Sequence, residues 1–284
     1  NVNSMMPMNR TVIFVCLHKE NLPFIRTTVF NPIYVGKKYN DMQGFIIDNT
    51  GEHIHEKNGR YGELTALYWI WKNYAIQDFV GLCHYRRYFW VKQFSVFYPT
   101  SMSALKFEKM KQEFAFSGER HLGNADIILP SSVTLKITVQ EQFLKYHHLE
   151  DLKRMRQVLK EIYPEYLGAW DKVMLGNKIN LIIMFLTKKE IFEQYCCWIF
   201  PLMFRFDELD NQKSRTGYQQ RVNAFMAERM MNIFVLHNKL RVKELPYVLV
   251  GNKTRYGLTI WFKFVNKLND WIFRGSRILK GYDI

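Results

Sequence analysis

Residues 79–89, Phe-Val-Gly-Leu-Cys-His-Tyr-Arg-Arg-Tyr-Phe, constrain the fold more than any other stretch. Phe79 to Cys83 read as a buried strand, and the chain then turns at once into His84, Tyr85, Arg86 and Arg87. Open α/β sheets bind ligands in the crevice outside such strand ends. Guanidinium groups placed there suit a phosphate or diphosphate, because arginine offers a planar fork of donors and keeps its charge. The plainer reading is a solvated basic turn. The aromatic residues flanking the arginine pair, Tyr85, Tyr88 and Phe89, weigh against it.

The remaining pattern alternates strands with helices. Thr11–Leu17 is a second apolar strand and carries His18 and Lys19 at its tip. An extended piece over 31–36 leads to Asp48-Asn49-Thr50-Gly51 and Glu56-Lys57-Asn58-Gly59. Turn chemistry alone explains these loops, and so does a ligand-facing role for Asp48 and Asn58; both readings stand. Leu64, Leu67, Tyr68 and Trp71 predict a helix over 61–73, with Glu63 in its first turn. Helical spacing recurs over 102–116, a strand closed by proline over 124–130, and a third apolar strand over 181–186. Helices over 188–206 and 217–236 follow. The pattern predicts an α/β domain over 10–250 with a helical C-terminal half. Residues 256–284 read as a basic amphipathic helix with Trp261 and Trp271, suited to an anionic membrane surface or to docking on the domain.

Composition narrows the partners. A formal net charge of +14 over 284 residues favours an anionic ligand, whether nucleic acid, lipid headgroup or nucleotide diphosphate. No nucleic-acid module signature occurs, and the aromatics sit at buried helical spacing, so no nucleic-acid partner is expected. Cys16, Cys83, Cys196 and Cys197 lack metal-ligand spacing and fit a reducing, cytoplasmic setting. No signal peptide is visible. The chain has no phosphate loop, no glycine-rich dinucleotide fingerprint, no nucleophile elbow and no Asp-x-Asp pair. If a diphosphate leaves, His84, Arg86 and Arg87 are the groups placed to offset its charge. On that reading no metal is required, with a divalent cation left open.

Taken together, these segments resemble a bacterial family of capsular and exopolysaccharide glycosyltransferases, long catalogued as a domain of unknown function. The likeness rests on Gly81-Leu82-Cys83-His84-Tyr85-Arg86-Arg87-Tyr88-Phe89 and on Glu63-Leu64-Thr65-Ala66-Leu67-Tyr68-Trp69-Ile70-Trp71-Lys72-Asn73. Asp48-Asn49-Thr50-Gly51, Glu150-Asp151-Leu152, Tyr163-Pro164-Glu165-Tyr166 and Gln220-Arg221-Val222 with Glu228-Arg229 extend it over roughly 10–248. The resemblance implies a GT-A-like, Rossmann-like nucleotide-sugar-binding domain. It further implies sugar transfer, galactose or galactofuranose among the candidates, to a glycan or lipid-linked glycan at the inner face of the plasma membrane. Capsule, exopolysaccharide or O-antigen would be the product. His18, Lys19, Asp48, Asn58, Glu63, Tyr85 and Arg221 would bind the donor, with His84, Arg86 and Arg87 on its diphosphate. Glu150 and Asp151 are candidate bases, with Glu228 and His147 behind them; as single residues, Glu150 and Asp151 also read as helix-start charges. Lys145, Asn180 and Ile183 depart from the family's pattern. A basic nucleic-acid-binding protein and a non-catalytic assembly scaffold are the rival readings.

Overall fold

The computed structural model describes residues 10–18, 24–36, 44–91, 97–210, 215, 217–251 and 255–258. Its strands are β1 (Thr11–Leu17), β2 (Phe30–Tyr34), β3 (Ile46–Ile47), β4 (Phe79–His84), β5 (Arg87–Phe89), β6 (Phe97–Ser103) and β7 (Ile127–Pro130). After these come β8 (Val133–Thr134), β9 (Lys178–Ile179), β10 (Phe185–Lys188), β11 (Val242–Leu245), β12 (Tyr247–Gly251) and β13 (Arg255–Leu258). The helices are α1 (Asn58–Tyr61), α2 (Leu64–Asn73), α3 (Ala104–Lys109), α4 (Gly118–Leu122) and α5 (Val139–Leu144). The longer α6 (Leu149–Ile162), α7 (Leu167–Leu175), α8 (Lys189–Glu208) and α9 (Val222–His237) complete them.

Strand β4 is the hub. It pairs in parallel with β1, which pairs in parallel with β2, and β2 with β3. On its other flank it meets antiparallel β10, followed by β7 and β11. Its last residue turns through a hairpin, His84 opposite Arg87, into a second branch of β5, β12, β6 and β13. Every residue of β1 is buried, as a strand covered on both faces requires. Alternate side chains serve opposite cores: Val12, Phe14 and Cys16 pack under the helical layer of α2 and α6–α9, while Ile13, Val15 and Leu17 face Tyr88, Met102 and Phe107. Gly81 lies between β1 and β10, where a Cβ would stand 2.8 Å from the Phe185 carbonyl oxygen.

Three elements depart from the sequence reading. The helix expected over 61–73 is two, because Gly62 (φ 53°) ends α1 and α2 restarts after Glu63. The apolar run 181–186 is a turn followed by β10, with Ile182 at φ 100°. Residues 102–116 begin as the end of β6 and continue into α3 and a 3-10 turn. Of the segment 256–284, residues 256–258 belong to β13 and the rest lies outside the described residues. No helix among the described residues is long and apolar enough to cross a membrane.

Candidate active site

Parallel pairing sets Cys16 opposite His84, so the carboxyl ends of β1 and β4 deliver His18 and the residues from His84 to Arg87 to one sheet edge. This is the crevice position at which open α/β sheets bind ligands. His84 is 7% exposed. Its Nδ1 lies 3.1 Å from Glu63 Oε1, and its Nε2 meets the Ile183 carbonyl oxygen at 3.3 Å. Both ring nitrogens thus face hydrogen-bond acceptors. The Ile183 carbonyl is presented by the turn at Ile182, a left-handed conformation that a β-branched residue seldom adopts.

Glu63 leads into α2 without capping it. Its carboxylate turns to His84 on one side and to Arg221, at 3.8 Å, on the other. Burial alone would raise this carboxyl; the His84 ring and the Arg221 guanidinium override that and hold it well below the usual carboxylate range. Glu228, on α9, completes the group. Burial pushes its carboxyl up, its ion pair with Arg229 at 2.8 Å pulls it down, and the nearby Glu63 raises it again. Arg87 and His84 act on the same carboxyl from the hairpin. The Glu228 side chain keeps 24% of its surface exposed, so a substrate can reach it. Glu63, His84, Arg87, Arg221 and Glu228 thus converge from the start of α2, from β4 and β5, and from α9 and the residue before it.

Gly62 permits this convergence. A Cβ there would lie 3.2 Å from an Arg221 guanidinium nitrogen and 3.3 Å from the Ala224 Cβ, at a backbone φ of 53°. Gly62→Ala is expected to cost about 1–2 kcal/mol through the left-handed backbone alone. A urea-unfolding midpoint unchanged from wild type would refute this.

The other expected residues divide. His18 is exposed, with its ring edge-on to Tyr85 at 4.7 Å. Asn58 donates to the Gly62 carbonyl oxygen and the Thr65 hydroxyl, both at 3.0 Å. Asp48 is fully buried beside Thr65 and Gly36, and neither carboxylate oxygen has a hydrogen bond of good geometry. Burial raises its carboxyl, against the Thr65 hydroxyl, His55, the Gly36 amide and His53. Lys19 lies outside the described residues.

Several expected site residues are engaged within the protein. Both ring nitrogens of His84 face acceptors of the chain itself, Glu63 and the Ile183 carbonyl. Arg86 is exposed, and its Nε–H donates to the Val250 carbonyl at 3.0 Å, clasping β12. Asp151 is fully buried and takes bonds from the His148 amide at 3.1 Å, Arg154 at 2.9 Å and Arg215 at 2.6 Å. Glu150 is exposed in the first turn of α6, with no ion pair to the Glu63–Glu228 group among the described residues. Asn180 exchanges two 2.9 Å bonds with Asn232, a structural clasp, and Lys145 is exposed.

His147 is core. It is 4% exposed between the rings of Phe143 and Phe225, at 4.7 and 4.8 Å, and neither ring nitrogen has a hydrogen-bond partner of good geometry. That burial, with Arg229 adding to it, lowers its pKa to about 4 from 6.5. The folded state thus refuses a proton that the unfolded chain accepts between these values. Stability should fall as pH drops through this window, by up to about 3 kcal/mol at the lower end, and flatten below it. His147→Phe should remove that share of the slope in urea unfolding. An unaltered slope would refute the assignment.

Sequence reasoning missed Arg229, whose guanidinium is 1% exposed and bonds Glu228, the Phe225 carbonyl and Gln142. It also missed Arg60, Arg154, Arg215 and Asp210, which close a buried ion network with Asp151. Through Arg60 this network holds α1 against α6 and the end of α8.

Sheet order and flanking helices define a mixed α/β fold of the GT-A-like kind. The chain belongs to the family described as a domain of unknown function, DUF4422, whose model matches residues 12–239. It is also similar to a solved apo structure of WbbM, titled a bifunctional glycosyltransferase, at 28% identity and a TM-score of 0.75. That match covers 85% of this chain and 45% of the other, so this chain spans less than half the neighbour's length. Nothing among the curated proteins matches.

Proposed function

We propose that the chain transfers a sugar from a nucleoside diphosphate donor to a hydroxyl of a glycan or lipid-linked glycan, with the crevice at the ends of β1 and β4 as the reaction site. The observation that carries this is the convergence there of an accessible, elevated carboxyl, Glu228, with the cations Arg87 and Arg221. Glu228 takes the proton of the acceptor hydroxyl as that oxygen attacks the anomeric carbon. The bond from this carbon to the diphosphate breaks, and the nucleoside diphosphate leaves with the electron pair. Arg87 and Arg221 stand where its charge develops, with His18 and Tyr85 at the rim and His84 fixing Glu63 behind. A hexose donor, galactose or galactofuranose, fits the family resemblance, as does a capsule, exopolysaccharide or O-antigen product. Residues 256–284 would bring the chain to the inner membrane face.

The test is a panel of nucleoside diphosphate sugars, read by thermal shift and by release of nucleoside diphosphate in the presence of glycan acceptors. One donor should raise Tm and be consumed, and added Mg²⁺ or Mn²⁺ should not raise the rate. Neither shift nor release across the panel would overturn the proposal. Salt-dependent retention of an oligonucleotide in their place would support the nucleic-acid reading.

A further inference from the structure

Upstream of α1 lies a group of side chains to which the transfer chemistry gives no task. His53, His55 and Glu56 each bring one ligand atom to within 4.8 Å of the others. The two imidazoles stand edge to face with centroids 4.8 Å apart, and His53 Nδ1 is 3.7 Å from Glu56 Oε2. The Nδ1 atoms of His53 and His55 are both buried without a hydrogen-bond partner. Buried polar atoms left so are uncommon, and a site for an ion is one of their recognised causes. Asp48, fully buried beside Thr65 and Gly36, is near enough to act electrostatically on both histidines.

We propose that His53, His55 and Glu56 form a binding site for a divalent transition-metal ion of the zinc or cobalt kind. Two imidazoles and a carboxylate suit such ions and not magnesium or calcium, which prefer all-oxygen shells. Ligand bonds of about 2.0–2.2 Å need these atoms to draw together by small side-chain rotations. Glu56 is 52% exposed and His53 30%, so the ion has an entry path and an open face for water. Asp48 is placed as the outer partner that orients a ligating ring.

The ion would fasten a loop already held to α2. Trp69 Nε1 donates to the Thr50 carbonyl at 2.8 Å, and the Tyr68 hydroxyl donates to Glu52 at 2.6 Å. His55 then opens the short turn that runs into Asn58 and α1. The role is structural, beside the transfer crevice, and shares no residue with the Glu63–Glu228 group.

The test uses the tag-free full chain, stripped with chelator, dialysed and titrated with Co²⁺. About one equivalent should bind with visible ligand-field absorption, be displaced by Zn²⁺ and resist a large excess of Mg²⁺. The double variant His53→Ala, His55→Ala should lose affinity at least a hundredfold, and Glu56→Gln, an exposed change, about tenfold. The double variant keeps the exposed Cys197, His18 and His148, so residual uptake measures sites outside the cluster. Circular dichroism should show the double variant folded; if it is not, Glu56→Gln decides. Unchanged uptake in a folded double variant, unchanged affinity in Glu56→Gln, no uptake by wild type, or displacement by Mg²⁺ would overturn the proposal.

Discussion

Glu228→Gln is expected to lower glycosyl transfer by about 10²–10⁴-fold, the span a positioned general base supplies. Glutamine keeps the size of the side chain and an acceptor for the Arg229 guanidinium, which also bonds the Phe225 carbonyl and Gln142. Donor binding through Arg87 and Arg221 should therefore survive, and the thermal shift with donor should persist while product formation does not. The pH profile separates a base from a structural carboxylate. Burial and Glu63 raise the Glu228 carboxyl, so the wild-type rate should fall on the acid side at a pH above that of an ordinary glutamate. As the pH drops through the raised pKa, the base gains the proton it must lack. Glu228→Gln should lose that acid limb. Retained turnover with the limb in place would discard Glu228 as the base.

Arg215→Ala should cause the largest loss of stability, about 3–5 kcal/mol, because it removes the most deeply buried of the counterions that two enclosed carboxylates share. Arg215 is 3% exposed and bonds Asp151 and Asp210, whose carboxylates are fully buried. Arg154 also bonds both, and Arg60 bonds Asp210. The contrast is Arg156, paired with Asp171 at 3.2 Å where both side chains are 47% exposed. Arg156→Ala should stay within about 1 kcal/mol of wild type, since solvent screens such pairs. Urea midpoints measure both. Equal effects from the two variants would show that the buried network carries no special weight.

The sequence reveals this fold where residue type and periodicity agree, and hides it where register or long-range charge decides. β1 and β4 are legible because continuous apolar runs between helical stretches can be little else. The turn at Ile182 is not, since a run of Leu, Ile, Ile and Met has the same hydropathy whether extended or bent. What bends it is the antiparallel register of β10, which starts only at Phe185 opposite Leu82. Strands β11, β12 and β13 escaped for another reason: they are short, and Pro246 separates the first two. At the candidate site, the signatures contain Glu63, His84, Arg87, Arg221 and Glu228 but not the contacts that bring them together. Glu150 and Asp151 stand side by side in sequence; one faces solvent, the other is enclosed by arginines. No local pattern distinguishes them, because the enclosing Arg215 lies 64 positions away.

Strand β4 is bonded along both flanks and then yields its final residue to a hairpin that begins the second branch. Moving its pairing by a single position would turn His84 to the opposite face and drive a bulkier side chain against the Phe185 carbonyl. Side chains between Phe79 and Phe89 can therefore be exchanged, but the interval itself tolerates neither insertion nor deletion. Divergence in length among chains built this way should fall in the connections that leave this strand alone.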